Sequence, residues 1–256
     1  MGLLQGPTEL LPVSSSAHTA LLPWLLGWSY AGLDPELRKS FEVSLHAGTG
    51  IALAIEMREE LLEGLLNLDG RNGAMIACAL APPAIAGLAL RRSIERRLGG
   101  PRSIAAGLVA GAVAMTIADA RGGTRKREDA GPRDGLALGL AQAVALIPGV
   151  SRSGATLTAA RARGFTRPDA QALSWHAGLP VILGASALEA ARASSSSVPE
   201  GARCALAAGA ACSFAATLLS ARMLRRASRG RVPAGSLALP GHAGARGDQP
   251  PASHPQ

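Results

Sequence analysis

Polar residues gathered inside apolar sequence constrain this chain more than any other feature. From Gln5 to His18 the sequence reads QGPTELLPVSSSAH, which sets an amide, a carboxylate, a run of serines and an imidazole in apolar surroundings. A second island, PGVSRSGAT from Pro148 to Thr156, lies in the other half. Pro12 and the serines break any single helix through the first island. The expected local structure is a half-helix, a loop, and a second half-helix from Ser14 to about Leu26. Such a broken segment persists at membrane depth only where it is buried in protein or lines a cavity.

The chain has 256 residues, 48% of them hydrophobic but only 3% aromatic. Its apolar mass is Ala, Leu, Gly, Val and Ile, which suits close helix packing in lipid. Apolar blocks run over Phe41 to Met57, Gly73 to Leu90, Ser103 to Ala118, Gly135 to Ile147, Ala172 to Ala191 and Ala202 to Ala221. Several are shorter than a standard span of ~20 residues, so the membrane reading rests on the set. The competing reading is a soluble, Ala-rich bundle. The formal charge of +8 sits between the apolar blocks. Loop charge flanking membrane helices explains it better than a nucleic-acid-binding face. The basic stretches RRSIERRLGGPR and ARGGTRKREDAGPRDG, both expected as loops, flank the same block and give no orientation. Trp24, Trp28 and Tyr30 cluster as an interfacial belt does. Cys78, Cys204 and Cys212 have no metal or disulfide spacing and read as small buried hydrophobes. The N-terminus lacks the basic segment of a cleavable signal peptide.

The halves resemble each other. MGLLQGPTELLPVSSSAH sets Gly2, Gln5, Pro12 and its serines beside LGLAQAVALIPGVSRSGA, with Gly139, Gln142, Pro148, Ser151 and Ser153. Pairing the prolines requires one gap. Paired broken segments in two halves point to an inverted-repeat membrane protein with a site between the repeats. The expected fold is an all-α, polytopic membrane helical bundle with inverted repeats and two re-entrant helix–loop–helix segments. Residues 1–226 form it, in halves of about 1–118 and 134–226, and 227–256 form a disordered tail rich in Arg, Gly, Pro and Ser.

Gln5 and Glu9 are four apart and share one helix face. A carboxylate in an apolar segment is costly. Glu9 serves either the broken backbone as a hydrogen-bond partner, a divalent cation as an oxygen ligand, or a reaction as a base. Ser14, Ser15 and Ser16 follow Pro12, where one of them caps the next half-helix. The same helix start leaves free N–H groups for a phosphate. His18 follows Ser15 and Ser14 by three and four positions, so a serine nucleophile with a histidine base is one reading. In the second island the planar fork of Arg152 matches phosphate oxygens, with hydroxyls from Ser151, Ser153 and Thr156. His46 and His176, on apolar faces, read as core histidines. There is no Walker loop and no HExxH.

These islands resemble the undecaprenyl-diphosphatases of the bacitracin-resistance type. Gln5-Gly-Pro-Thr-Glu9 looks like that family's (E/Q)xxxE motif, LPVSSSAH like its continuation, and Pro148 to Thr156 like its PGxSRSxxT motif. FEVSLHAGT, from Phe41 to Thr49, resembles the family's second helix, and the likeness extends from Met1 to about Arg226. The resemblance implies a multi-pass enzyme of the bacterial cell membrane. It hydrolyses undecaprenyl diphosphate to the monophosphate, recycling the cell-wall lipid carrier and conferring bacitracin resistance. It also implies a divalent cation, Mg2+ or Ca2+, with Glu9 as its ligand. Carried onto this sequence, Glu9, Ser15, His18 and Arg152 are catalytic. Gln5, Ser14, Ser16, Ser151, Ser153 and Thr156 bind the polyprenyl diphosphate, with Ser15 as nucleophile or water attacking directly. A homodimer is left open. The sequence departs from the family at both ends: only Met1 to Leu4 precede the first motif, and no further membrane helix follows Arg226. The rival readings are a transporter or flippase of polyprenyl phosphate and an inactive, truncated relative.

Overall fold

The computed structural model describes residues 1–59, 61–62, 69–193 and 200–229. Among them are nine α-helices: α1 Gly2–Leu10, α2 Ser15–Leu25, α3 Pro35–Glu56, α4 Gly70–Leu98, α5 Pro101–Ala120, α6 Pro132–Val144, α7 Arg152–Ala162, α8 Arg167–Ala193 and α9 Glu200–Arg229. The only β pairing among the described residues is an isolated bridge between Arg125 and Phe165. Residues Met1–Arg222 form one compact unit. The expected tail lies outside the described residues from 230 onward.

The fold is an all-α membrane bundle. Among the described residues, three stretches are long and apolar enough to cross a membrane: Gly70–Leu90 in α4, all of α5, and Gly201–Arg226 in α9. Large apolar side chains such as Ile85, Leu88, Val109 and Leu219 stand more than 60% exposed. In water that surface would aggregate, whereas in a bilayer it is the lipid face. By contrast α1, α2, α6 and α7 have only 9, 11, 13 and 11 residues. At ~1.5 Å per residue none reaches across a core of ~30 Å. They are the half-helices of the two broken segments.

The helix ends follow local chemistry. Asp34 caps α3 by accepting from the N–H groups of Glu36 (2.9 Å) and Leu37 (3.4 Å), with Pro35 as the first helical residue. This starts α3 several residues earlier than its apolar block does. RRSIERRL, expected as loop, is helical and completes α4. No residue in it breaks a helix until Gly99-Gly100, and Pro101 then opens α5. Both Pro82 and Pro83 lie inside α4. Pro83 has no N–H to offer the carbonyl of Ala79. The buried Nε2 of Gln142 donates to that carbonyl instead (3.1 Å).

The core joins Met75 of α4, Leu138 of α6, Leu157 of α7 and Leu173 of α8 around the fully buried Phe165. Helix contacts also show an exchange between the halves. A Cβ added at Gly2 or Gly6 of α1 would strike α9 at Cys212 or Thr217, and one at Gly135 or Gly139 of α6 would strike α4 at Met75 or Cys78. Each re-entrant helix is thus seated against a long helix of the other half. These are the small-residue contacts expected between membrane helices. A buried hydroxyl cluster adds to them, with Thr49 of α3 bonded to Ser213 (2.8 Å) and Thr217 (3.2 Å) of α9.

Candidate active site

The loop after α1 and the loop before α7 meet. Ser153 Oγ donates to the Leu11 carbonyl (3.3 Å), and Arg152 Nη2 donates to Glu9 Oε1 (3.1 Å). Glu9 is the hub. Its other oxygen, Oε2, accepts from Ser15 Oγ at 2.6 Å and, at 3.5 Å, from Gln5 Nε2. One carboxylate therefore holds a serine hydroxyl on one oxygen and a guanidinium on the other. The Glu9 and Arg152 side chains are 11% and 17% exposed, so the pair is largely shielded yet still open to a ligand.

Each loop aims a helix start at this hub. Ser14 caps α2, its Oγ accepting from Ala17 N (3.4 Å). Ser151 caps α7 in the same way, accepting from Gly154 N (3.1 Å). The matching goes further. Ser14 and Ser16 share a hydrogen bond of 3.3 Å, and Ser151 and Ser153 one of 3.2 Å. Thr19 donates to the Ser16 carbonyl and Thr156 to the Ser153 carbonyl, both at 3.2 Å. Gln5 and Gln142 are both buried, and each leaves its Oε1 without a partner among the described residues. These pairs align at one constant spacing without a gap. The proline pairing that requires a gap is therefore replaced: Gly149, not Pro148, stands opposite Pro12. Gly149 has φ +99°, and a Cβ there would run into the Ile104 carbonyl of α5.

The expected site residues fall into three sets. Gln5, Glu9, Ser15 and Arg152 are joined by hydrogen bonds. Ser14, Ser16 and Ser151 stand at the two helix starts, Ser16 exposed and Ser14 buried at the unusual φ of +65°. Backbone strain of this kind gathers at functional sites. Ser153 and Thr156 are buried and bond elsewhere: Thr156 reaches Ser174 of α8 at 2.5 Å, and Ser153 holds the first loop. His18 does not join Ser15 by a hydrogen bond. Its Nδ1–H donates to the Ser14 carbonyl one turn back (2.8 Å), and the ring lines a groove of about 460 Å³ along α5. Pro12, Val13, Leu108, Val109 and Ala112 make that groove apolar. The serine partner is therefore a carboxylate rather than an imidazole.

One further element escaped notice in the sequence. SLHAG (Ser44 to Gly48) in α3 recurs as SWHAG (Ser174 to Gly178) in α8. Its first copy ties His46 Nδ1 to the Glu42 carbonyl (2.8 Å). Its second gives Thr156 the Ser174 hydroxyl and brings Gly178 under Arg152. The near-identity of the two pentapeptides was the available signal.

As for a cation, no cluster of three or more His, Cys, Asp or Glu able to hold a metal occurs among the described residues. The hard oxygen donors at the hub are the Glu9 carboxylate and the partnerless Gln5 Oε1. That set does not make an all-protein cage. It does fit a cation completed by phosphate oxygens, the usual arrangement for Mg2+.

The sequence matches the family described as bacitracin resistance protein BacA over residues 1–231. The undecaprenyl-diphosphatase of Geobacter sulfurreducens is 41% identical over 239 residues, 88% of this chain and 87% of that protein. That of Geobacter metallireducens is 40% identical, with 78% and 77% covered, and that of Thermomicrobium roseum 39%, with 74% and 73% covered. A match through both polar islands and nearly all described helices, with relatives aligned over most of their own length, places this chain in the bacitracin resistance protein BacA family.

Proposed function

We propose that this protein hydrolyses undecaprenyl diphosphate to undecaprenyl phosphate and inorganic phosphate in the bacterial cell membrane, so returning the lipid carrier to cell-wall synthesis. One observation carries the reading beyond the names of its relatives: Ser15 Oγ donates to Glu9 at 2.6 Å while Arg152 holds the opposite oxygen of the same carboxylate. A hydroxyl with a carboxylate base and a neighbouring guanidinium is the equipment of phosphoryl transfer. A transporter needs only the anion site and has no use for the serine–carboxylate pair.

In this reading the diphosphate enters between the starts of α2 and α7, whose N–H groups and dipoles favour an anion. Arg152 turns fork donors toward it. The terminal phosphorus is attacked by Ser15 Oγ, whose proton passes to Glu9. The P–O bond to the bridging oxygen breaks, and undecaprenyl phosphate leaves with the electron pair. Water then attacks the seryl phosphate. The Oγ–P bond breaks with its electron pair on Ser15 Oγ, which takes back the proton held by Glu9, and inorganic phosphate leaves with the water's oxygen and protons. His18 lies beside the groove, where it contacts the leaving lipid phosphate as an acid or a hydrogen-bond donor. Ser16 and Ser151 offer hydroxyls at the two helix starts. Ser153 and Thr156 keep the loops in register. A Mg2+ or Ca2+ ion held by Glu9 and Gln5 with the phosphate oxygens would offset charge on the transferred group. The apolar groove along α5 takes the first part of the prenyl tail.

The test is phosphate release from undecaprenyl diphosphate by the detergent-purified protein, with and without a chelator, beside Glu9→Gln. Chelator-sensitive release that the substitution abolishes is the expected result. A well-folded wild type that binds the lipid and releases no phosphate would sink the enzyme reading in favour of transport.

A further inference from the structure

Gly178 lies buried in the interior of α8, where glycine stabilises a helix less than alanine does. Its φ is not in the left-handed region, so backbone freedom does not account for it. Space does. A Cβ at this position would overlap Arg152 Nη1 and stand 3.5 Å from its Cζ. The matching glycine of the repeated pentapeptide, Gly48, is small for another reason: its Cβ would strike the main chain of α9 at Ala210. At Gly48 the obstacle is backbone, which does not yield. At Gly178 it is the tip of a long side chain, which yields by moving away.

We propose, building on the phosphatase reading, that Gly178 is a positioning residue for Arg152. The absent side chain leaves a slot on α8 in which the guanidinium lies, and from that slot Nη2 reaches Glu9 while the remaining donors serve the diphosphate. A methyl at 178 leaves the fold intact and pushes the guanidinium off that position. Displacement of a catalytic group by about 1 Å is enough to lower a rate by ~100-fold.

A thermal cycle in detergent tests the slot without substrate, using wild type, Gly178→Ala, Arg152→Ala and the double variant. Gly178→Ala is expected to lower the melting temperature when Arg152 is present. With Arg152→Ala the slot is empty, and the better helix former is expected to raise it by about 2 °C. The sign reversal is specific to the arginine. Changes of the same sign and size in both backgrounds would overturn the proposal. Should Gly178→Ala alone fail to fold, recovery of the fold in the double variant supports the slot, and failure of both overturns it. The turnover arm predicts that Gly178→Ala lowers kcat by about 10- to 100-fold and adds no loss to Arg152→Ala. Losses that multiply would count against positioning. A wild type without turnover rejects the phosphatase reading alone, and the thermal cycle still decides the slot.

Discussion

The two re-entrant segments share a frame and differ in chemistry. Both have a buried glutamine, a capping serine, a second serine bonded to the cap, and a threonine bonded back to its own helix. The candidate reactive positions are among those that differ. Glu9 faces Leu146 in the alignment, Ser15 faces Arg152, and His18 faces Ala155. One copy supplies carboxylate, hydroxyl and imidazole, and the other supplies the cation. The repeat is a device for bringing two helix starts together, and the asymmetry laid over it makes a site. A symmetric pair of arginine loops would only bind an anion. A symmetric pair of glutamate loops would repel one.

This division can be broken one position at a time. The largest effect is expected at the divergent positions. Arg152→Ala should cut phosphate release by about 10³-fold or more, whereas Leu146→Met should change it by less than about threefold. Comparable losses would mean that the second loop is not a specialised clamp. Ser15→Ala should cost about 10²-fold or more and abolish any phosphate label on the protein. A variant that keeps its rate would assign the attack to water. Smaller effects belong to the shared frame. Ser14→Ala and Ser151→Ala should each cost about 1 kcal/mol of stability by removing a cap. Ser14→Gly should cost less than Ser151→Gly, because Ser14 alone sits at φ +65°. Melting temperatures of the four variants check both statements.

The smallest effect lies away from the hub, at an ion cluster that serves the fold. Buried Asp134, in the first turn of α6 and outside the membrane-crossing stretches, accepts from Arg125 (2.9 and 3.1 Å) and Arg163 (2.7 Å). Burial alone would raise its pKa. Hydrogen bonds from Arg125, Arg163 and the Gly131 N–H outweigh that and hold it below the ordinary 3.8. The stabilising contribution is full above pH 3.8 and is lost as the pH falls through the lowered value. Asp134→Asn should remove that acid dependence of melting while leaving neutral-pH turnover nearly unchanged.

The site was legible in the sequence to the level of the islands and no further. Composition and the broken apolar segments sufficed for a membrane bundle, because lipid leaves few other ways to satisfy a backbone. That the islands meet followed from their repetition. The partner of Ser15 did not follow, because spacing along α2 favoured His18 equally. The choice was made by the third dimension, where the α1 end carries Glu9 to 2.6 Å and a carbonyl one turn back takes the imidazole. Thr156 read as a phosphate donor because nothing in its own segment reveals Ser174 on α8. RRSIERRL read as loop because its charge outweighed its lack of helix breakers. The paired prolines misled the alignment, since proline marks a turn without fixing which turn position it occupies.

The seating of α1 on α9 has a consequence for how the protein comes into being. The helix bearing Glu9 is synthesised well before the surface that holds it, around Cys212 and Thr217. Until that surface exists, Gly2 and Gly6 lack the close contacts that seat α1 on α9. Final seating of α1 is thereby deferred until α9 is made. A ribosome that stalls after Arg152 but before α9 leaves a membrane-inserted chain that carries Glu9, Ser15 and Arg152 without the surface that seats α1.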